Sequence, residues 1–437
     1  PLGVRTAVVG KTHMEPDPEG MARLGLNDST EIGMVISQPG FDPYERDDGL
    51  HPNAVLKKRG SKLPYNDWLR QQGYDGENPW NDYANSAEGP DGELLSGWYL
   101  KNSNLPARIK EEHSETAYMT MRAREFIQET GEAPWLCHLS YIKPHWPYMA
   151  PAPYHNMYGP NTFQPIIRDS SEKVNPHPVY NAFMEMEVSQ TFSTAGVRET
   201  VLPAYMGMIK QIDDHLGKLF DWLEESGKAD ETMIVVTSDH GDYLGDHWLG
   251  EKELFHEVSV RVPLIIYDPR PEADKTRGKV VSELVEAIDL VPTFLAATGA
   301  PSADHRLEGL SLEPLIHGEI IENWRSAVFS EIDYSYYKAR DMLGVGNYDA
   351  RGYMIRTNDW KYVYFRGFEP QLFNLNDDPN EFKDLGRDVD HEVTRQNMHA
   401  ILLDRLTGRK NRIAQSDEAL ENARGKETSD GILIGKW

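Results

Sequence analysis

Residues 233–269, MIVVTSDHGDYLGDHWLGEKELFHEVSVRVPLIIYDP, are the stretch whose reading decides the fold. Residues 233–237 and 262–267 are short apolar runs rich in β-branched residues, so both read as strands buried in a sheet. Ser238-Asp239-His240-Gly241 falls where the first of these strands ends. In an open α/β sheet the carboxyl ends of the strands are where ligands bind. A carboxylate followed directly by an imidazole, and then by a glycine that lets the chain turn away, offers two metal ligands from one rigid point. A turn capped by an aspartate is the plainer alternative. Downstream come His247, Lys252 and His256, and Lys252 could carry positive charge towards an anion held on the metal.

Two further strand ends carry ionisable residues. Residues 6–9 read as a buried strand leading into Gly10-Lys11-Thr12-His13, with Pro16 and Pro18 excluding a helical continuation. Lys11 and His13, two apart, share a face if strand geometry persists, and form a solvated loop if it does not. A strand this near the start of the chain is expected either at a sheet edge or to have lost its preceding partner. Residues 135–141, WLCHLSY, read as a third strand, and Pro144 and Pro147 hold His145 between them in the loop that follows. Packing or capping is the alternative role for His145.

Between these landmarks, residues 25–106 are turn-rich and aromatic, either an excursion that shapes a substrate pocket or a surface loop with aromatic anchors. Residues 114–129 have helical periodicity with Ser114 as cap, and 201–225 form a long amphipathic helix whose Asp213 and Asp214 belong to a solvated face or to a helix–helix contact. Residues 280–296 read as a helix broken by Asp289 and Pro292. Residues 352–365 alternate as a half-buried antiparallel strand does and 371–375 follow as another, which predicts a small antiparallel sheet. From Gln415 onward the chain reads as a polar arm.

At 437 residues and 39% hydrophobic content, the chain can form one large α/β domain with a smaller one appended, or two domains. A formal net charge of -25 argues against nonspecific binding to nucleic acid or an anionic membrane, while leaving room for a local basic pocket. No apolar run is long enough to span a bilayer. The single cysteine, Cys137, excludes an intrachain disulfide and is compatible with a reducing, cytoplasmic setting. Residues 1–4 match neither an initiator start nor a signal peptide.

Taken together, Gly10-Lys11-Thr12-His13, Pro144-His145, Ser238-Asp239-His240-Gly241, the lysine at 252 and the ending from Leu372-Phe373-Asn374-Leu375 to Asp378-Pro379-Asn380-Glu381 resemble the sulfatase branch of the alkaline phosphatase superfamily. The resemblance is nearer still to its arylsulfatase and phosphonate monoester hydrolase subgroup. It implies an α/β fold, an alkaline-phosphatase-like mixed sheet flanked by helices, with a catalytic domain over residues 1–318 and a small antiparallel-sheet subdomain and arm over 319–437.

Position by position, the resemblance implies that Asp239 and His240 bind one divalent metal ion, with Mn2+ or Ca2+ expected because an imidazole ligand disfavours Mg2+. Lys11 and Lys252 would hold sulfate or phosphonate oxygens, His13 would assist at the nucleophile, and His145 would protonate the leaving oxygen. The family's nucleophile is a formylglycine made within a C-x-P-x-R motif. Cys137 is followed by His138 and Leu139 and does not match. The expectation is that the nucleophile and the remaining carboxylate ligands lie upstream of Pro1 in a longer protein; the other explanation is a family member that has lost catalysis.

The expected activity is hydrolysis of small-molecule sulfate monoesters, with side activity on phosphonate monoesters and phosphodiesters, in a homo-oligomer. The competing readings are a phosphodiesterase or phosphatase with a threonine or serine nucleophile, and a noncatalytic anion-binding protein.

Overall fold

The computed structural model describes residues 3–12, 17–27, 31–38, 40–49, 63–159, 162–411 and 413–424. They form two compact units. The first comprises residues 1–165 and 194–229, the second residues 166–193 and 230–437.

In the first unit, strands β1 (Arg5–Gly10), β2 (Asp42–Arg46) and β5 (Trp135–Ser140) form a parallel sheet in the order β2-β1-β5. The apolar run that predicted β1 is fully enclosed, with Ala7, Val8 and Val9 at 0% exposure. The expectation that it is an edge strand is wrong. Asp42–Arg46, polar and unremarkable by pattern, pairs along one side of β1, and β5 pairs along the other.

Because the strands are parallel, Gly10 and Ser140 are register partners, and the segments that leave them emerge at the same end of the sheet. The helix Glu115–Thr130 starts as expected, with Ser114 accepting from the Ala117 N–H. Its Tyr118, Met119 and Ala123 join Val9 in a core that also takes in Tyr65, Leu69 and Trp80 from the aromatic stretch before it. The described part of residues 25–106 is therefore a packed layer with its own helix, Pro64–Gln71, and a hairpin of β3 (Ser86–Glu88) and β4 (Leu94–Ser96). The long helix spans Val197–Glu225; Asp213 is exposed beside Lys210, while Asp214 is half-buried and accepts the Tyr154 hydroxyl at 2.8 Å.

In the second unit, β6 (Ile234–Thr237) and β7 (Leu264–Tyr267) pair antiparallel as a two-stranded ribbon. The expectation that both are buried fails on the outward face, where Ile265 is 63% and Tyr267 40% exposed, because among the described residues no third strand joins the ribbon.

The small antiparallel sheet is present as β8 (Val328–Asp333), β9 (Arg351–Arg356), β10 (Trp360–Phe365) and β11 (Gln371–Asn374), in the order β11-β10-β9-β8. Residues 352–365, read as one strand, are a hairpin: the chain reverses between Arg356 and Trp360, where Thr357 donates its N–H to the Trp360 carbonyl. Helix Glu392–Thr407 packs Met398 and Leu402 onto Ile355, Tyr362 and Leu372 of this sheet.

The expected helix at 280–296 shrinks to a 3-10 turn at Ala287–Asp289 and a helix at Leu290–Ala297. Asp289 starts it rather than breaking it, and Pro292 sits in its first turn, where a missing N–H costs nothing. The polar arm contains a short helix, Asp417–Ala423, capped by Ser416.

Candidate active site

Lys11 follows β1 and donates its main-chain N–H to the Ser140 carbonyl at 3.0 Å. The exit requires Gly10. Its φ is +105°, and a Cβ there would lie 1.8 Å from the Ser140 oxygen. The Lys11 ammonium lies close enough to Glu115 and Lys143 to influence the ionisation of both. His13 lies outside the described residues.

His145 stands at the same end of the parallel sheet, on the loop after β5. Its N–H donates to the Ile142 carbonyl at 3.0 Å, and its Nδ1 donates to the Trp146 carbonyl at 2.9 Å. The ring lies 4.4 Å from that of Trp146, which meets Trp98 edge-on at 5.3 Å. The half-buried imidazole is therefore fixed by its own loop and by an indole seated on a second indole.

In the second unit, Thr237 ends β6 and the chain turns through Ser238, Asp239, His240 and Gly241. Gly241 is again demanded by a close approach: a Cβ would lie 1.9 Å from the Val258 carbonyl oxygen, and its N–H donates to Ser259 O at 2.7 Å. Ser238 Oγ donates to the His240 carbonyl at 2.7 Å, and Asp239 Oδ1 accepts the His240 N–H at 3.0 Å.

The imidazole of His240 donates Nδ1–H to the Gly241 carbonyl at 2.7 Å, which leaves its lone pair on Nε2. Fixing the tautomer in this way is how proteins orient a metal-ligating histidine. Nε2 lies 3.3 Å from Asp239 Oδ2. Two ligands each about 2.1 Å from one ion are separated by about 3.0 Å in octahedral and about 3.4 Å in tetrahedral geometry. The pair fits a shared divalent ion, and the Asp239 side chain is open to the outside at 80% exposure.

Lys252 sits further along the same unit between two acidic neighbours. Glu253 Oε2 accepts its main-chain N–H at 3.0 Å, and Ser259 Oγ donates to its carbonyl at 2.5 Å. Burial and the Glu253 charge push the Glu251 carboxyl up to about 7, against the opposing pull of the Lys252 ammonium.

Elsewhere in this unit Glu172, His247 and His256 bring ligand-type atoms within 4.8 Å of one another, all buried. Several of their polar atoms already have partners. Glu172 Oε1 accepts from His247 Nδ1 at 2.7 Å and from Tyr180 at 2.8 Å, and His256 Nδ1 bonds the Tyr243 hydroxyl at 2.9 Å. The two imidazoles stack at 4.1 Å and 18°, so their in-plane lone pairs run side by side rather than converging on one point.

Two features escaped the sequence reading. One is this histidine stack. The other is Lys143, two residues before His145, which is buried. No local pattern marks a lysine as buried, because its partners Asn85 and Glu115 come from distant parts of the chain.

The sulfatase family model matches residues 2–300. The chain belongs to the sulfatase family. A second family model, the C-terminal region of N-sulphoglucosamine sulphohydrolase, matches residues 245–407. Among the relatives of this sulfatase is a multifunctional alkaline phosphatase superfamily protein of Trinickia caryophylli, 29% identical over 403 residues, covering 89% of this chain and 74% of the relative. An arylsulfatase of Clostridium perfringens is 28% identical over 320 residues, 72% of this chain and 63% of the relative. The fold matches that of a phosphonate monoester hydrolase from Silicibacter pomeroyi with a TM-score of 0.78 and 25% identity, over 96% of this chain and 81% of the other. The α/β class and the C-terminal antiparallel sheet agree with that fold. The relatives are hydrolases of sulfate and phosphonate esters, members of a metal-dependent enzyme family. Among the described residues no helix is long and apolar enough to cross a membrane.

Proposed function

We propose that this chain takes part in hydrolysing sulfate monoesters of small molecules, with side activity on phosphonate monoesters and phosphodiesters. The observation that carries the proposal is the Asp239–His240 pair, an oriented imidazole and a carboxylate set at a ligand-to-ligand spacing in a sulfatase-family chain. The phosphonate monoester hydrolase fold and the multifunctional relative support the breadth of substrate.

In this proposal Asp239 and His240 hold one divalent ion, Mn2+ or Ca2+, and a bound ion would stabilise negative charge developing on the ester's nonbridging oxygens. Lys11 and Lys252 hold those oxygens through charge-assisted hydrogen bonds, which strengthen as charge accumulates at the transition state. His13 moves a proton at the nucleophile. His145, protonated, donates to the leaving oxygen, and its Nδ1 bond to the Trp146 carbonyl directs Nε2 outward from the loop.

The covalent nucleophile is a formylglycine, which has no counterpart among these 437 residues: Cys137 lies outside any C-x-P-x-R motif. Burial raises its thiol to about 12, which makes it a poor nucleophile. The proposal also keeps a functional boundary near residue 318, a homo-oligomeric assembly and a cytoplasmic location.

The test is turnover of an aryl sulfate, an aryl phosphonate monoester and an aryl phosphodiester by the protein expressed from its natural gene, with and without chelator. The sulfate should be hydrolysed fastest, and the chelator should abolish all three activities. A phosphodiester turned over without any sulfatase activity would instead support the serine or threonine reading.

A further inference from the structure

Lys143 is only 7% exposed, yet it carries a charge on a loop. A buried ammonium is tolerated where its donors and its charge are matched. Nζ donates to Asn85 Oδ1 at 2.7 Å and to the main-chain oxygen of Pro147 at 2.7 Å. The second bond ties residue 143 to residue 147 across Pro144, His145 and Trp146, so the segment carrying His145 is closed by a side chain of its own. The first bond anchors that closure: Asn85 is fully buried and fixed by Nδ2 donating to the Trp80 carbonyl at 3.0 Å.

The matching charge comes from Glu115, whose Oε1 accepts the Trp80 indole N–H at 2.7 Å. Burial lowers the Lys143 ammonium to about 8, with Glu115 holding it up and Lys11 pushing it down. Asp47, at 0% exposure, adjoins Glu115, and the two carboxyls share a side-chain hydrogen bond. Burial first, then the neighbouring Glu115 charge, hold the Asp47 carboxyl well above its usual range, and burial raises Glu115 as well, against the opposing pull of the Lys143 ammonium.

We infer that Lys143 is a positioning residue for His145: the hydrogen bonds from Asn85 through Lys143 to Pro147, balanced by Glu115, hold the loop in which the imidazole is presented. The inference rests on the proposed role of His145 as the proton donor to the leaving oxygen. A misplacement of about 1 Å at a reacting group can cost on the order of a hundredfold in rate, and loss of this closure is a displacement of that kind.

The experiment replaces Lys143→Met in the protein expressed from its natural gene. Because that change strands Glu115, the paired variant Lys143→Met/Glu115→Gln, which removes both charges at nearly constant shape, is made alongside it. Turnover of an alkyl sulfate should fall about tenfold to a hundredfold more than turnover of a nitrophenyl sulfate, with KM nearly unchanged. Adding His145→Ala should then cause no further selective loss. A second readout needs no substrate: in ¹⁵N NMR the His145 Nδ1–H, bonded to the Trp146 carbonyl, should exchange faster and broaden in both Lys143 variants.

Equal losses on both esters together with an unchanged His145 signal overturn the inference. If His145→Ala itself loses both esters equally, the proton-donor reading falls, and the NMR measurement still decides whether Lys143 holds the loop.

Discussion

Removing the ammonium of Lys361 should destabilise the second unit by about 3–5 kcal/mol, the cost of breaking a buried ion pair from one side. Lys361 lies on β10 at 0% exposure. Its ammonium donates to Phe255 O at 2.8 Å and forms ion pairs with Glu257 Oε1 at 2.8 Å and Glu381 Oε1 at 2.6 Å. In Lys361→Met the apolar stem is kept and the charge is lost. Glu257 retains Arg356 at 3.4 Å, but Glu381, with its side chain 1% exposed, keeps only the Glu257 N–H at 2.7 Å. The larger part of the loss is therefore the stranded Glu381 carboxylate. Lys361→Met/Glu381→Gln should recover at least about half of it, since removing both members of a buried pair is far milder than removing one.

The pH dependence follows from the same charges. Burial raises the Glu257 carboxyl, but the Lys361 charge outweighs it and holds the group below its usual value. A depressed carboxylate contributes stability that is present above its unfolded pKa and lost as pH falls through the folded one. Without Lys361 that contribution shrinks to what Arg356 and Arg261 supply to Glu257 against its burial. The gap between wild type and Lys361→Met should thus be wide at pH 8 and narrow towards about pH 5 and below. Urea unfolding followed by circular dichroism at the two pH values measures it. A loss under about 1 kcal/mol, or a double variant no more stable than the single one, refutes the account.

Asp239→Ala/His240→Ala should abolish stoichiometric Mn2+ or Ca2+ in the purified protein, while Glu172→Gln should not; metal analysis showing the reverse would move the ion to the histidine stack. Lys11→Ala and Lys252→Ala should each lower turnover by about a hundredfold or more, as loss of one charge-stabilising donor does, and full activity in either removes that lysine from the anion site. His145→Ala should spare a nitrophenyl ester and cost an alkyl ester about a hundredfold more; equal losses with a lowered Tm make it scaffold. Cys137, its thiol pushed up to about 12 by burial, should resist iodoacetamide at pH 8, reacting on the order of a thousandfold more slowly than a free cysteine, and prompt alkylation of the folded protein contradicts that burial.

What was legible in the sequence is what local chemistry encodes. β1 announced itself by an apolar run rich in β-branched residues and β5 by an apolar run between turn signals, the helix after Ser114 by its cap, and the Asp239-His240-Gly241 turn by residue types that few other conformations need. The errors share one cause. Asp42–Arg46 has no strand pattern and becomes one because β1 offers it a hydrogen-bonding edge, which also moved β1 from the rim of its sheet to the centre. β6 and β7 have the composition of buried strands and yet expose Ile265 and Tyr267, since burial depends on what covers a face and not on the face itself.

Charged residues carry the same lesson further. Lys143 and Lys361, on a loop and a strand, are both buried near carboxylates from elsewhere in the chain: Glu115 acts on the first through its charge, while Glu257 and Glu381 form ion pairs with the second. A buried cation is a long-range statement written in a single residue. Its partners become visible only once the chain has folded, which is why the ligand pair at 239 and 240, adjacent in sequence, could be named from the sequence while the lysine two residues before His145 could not.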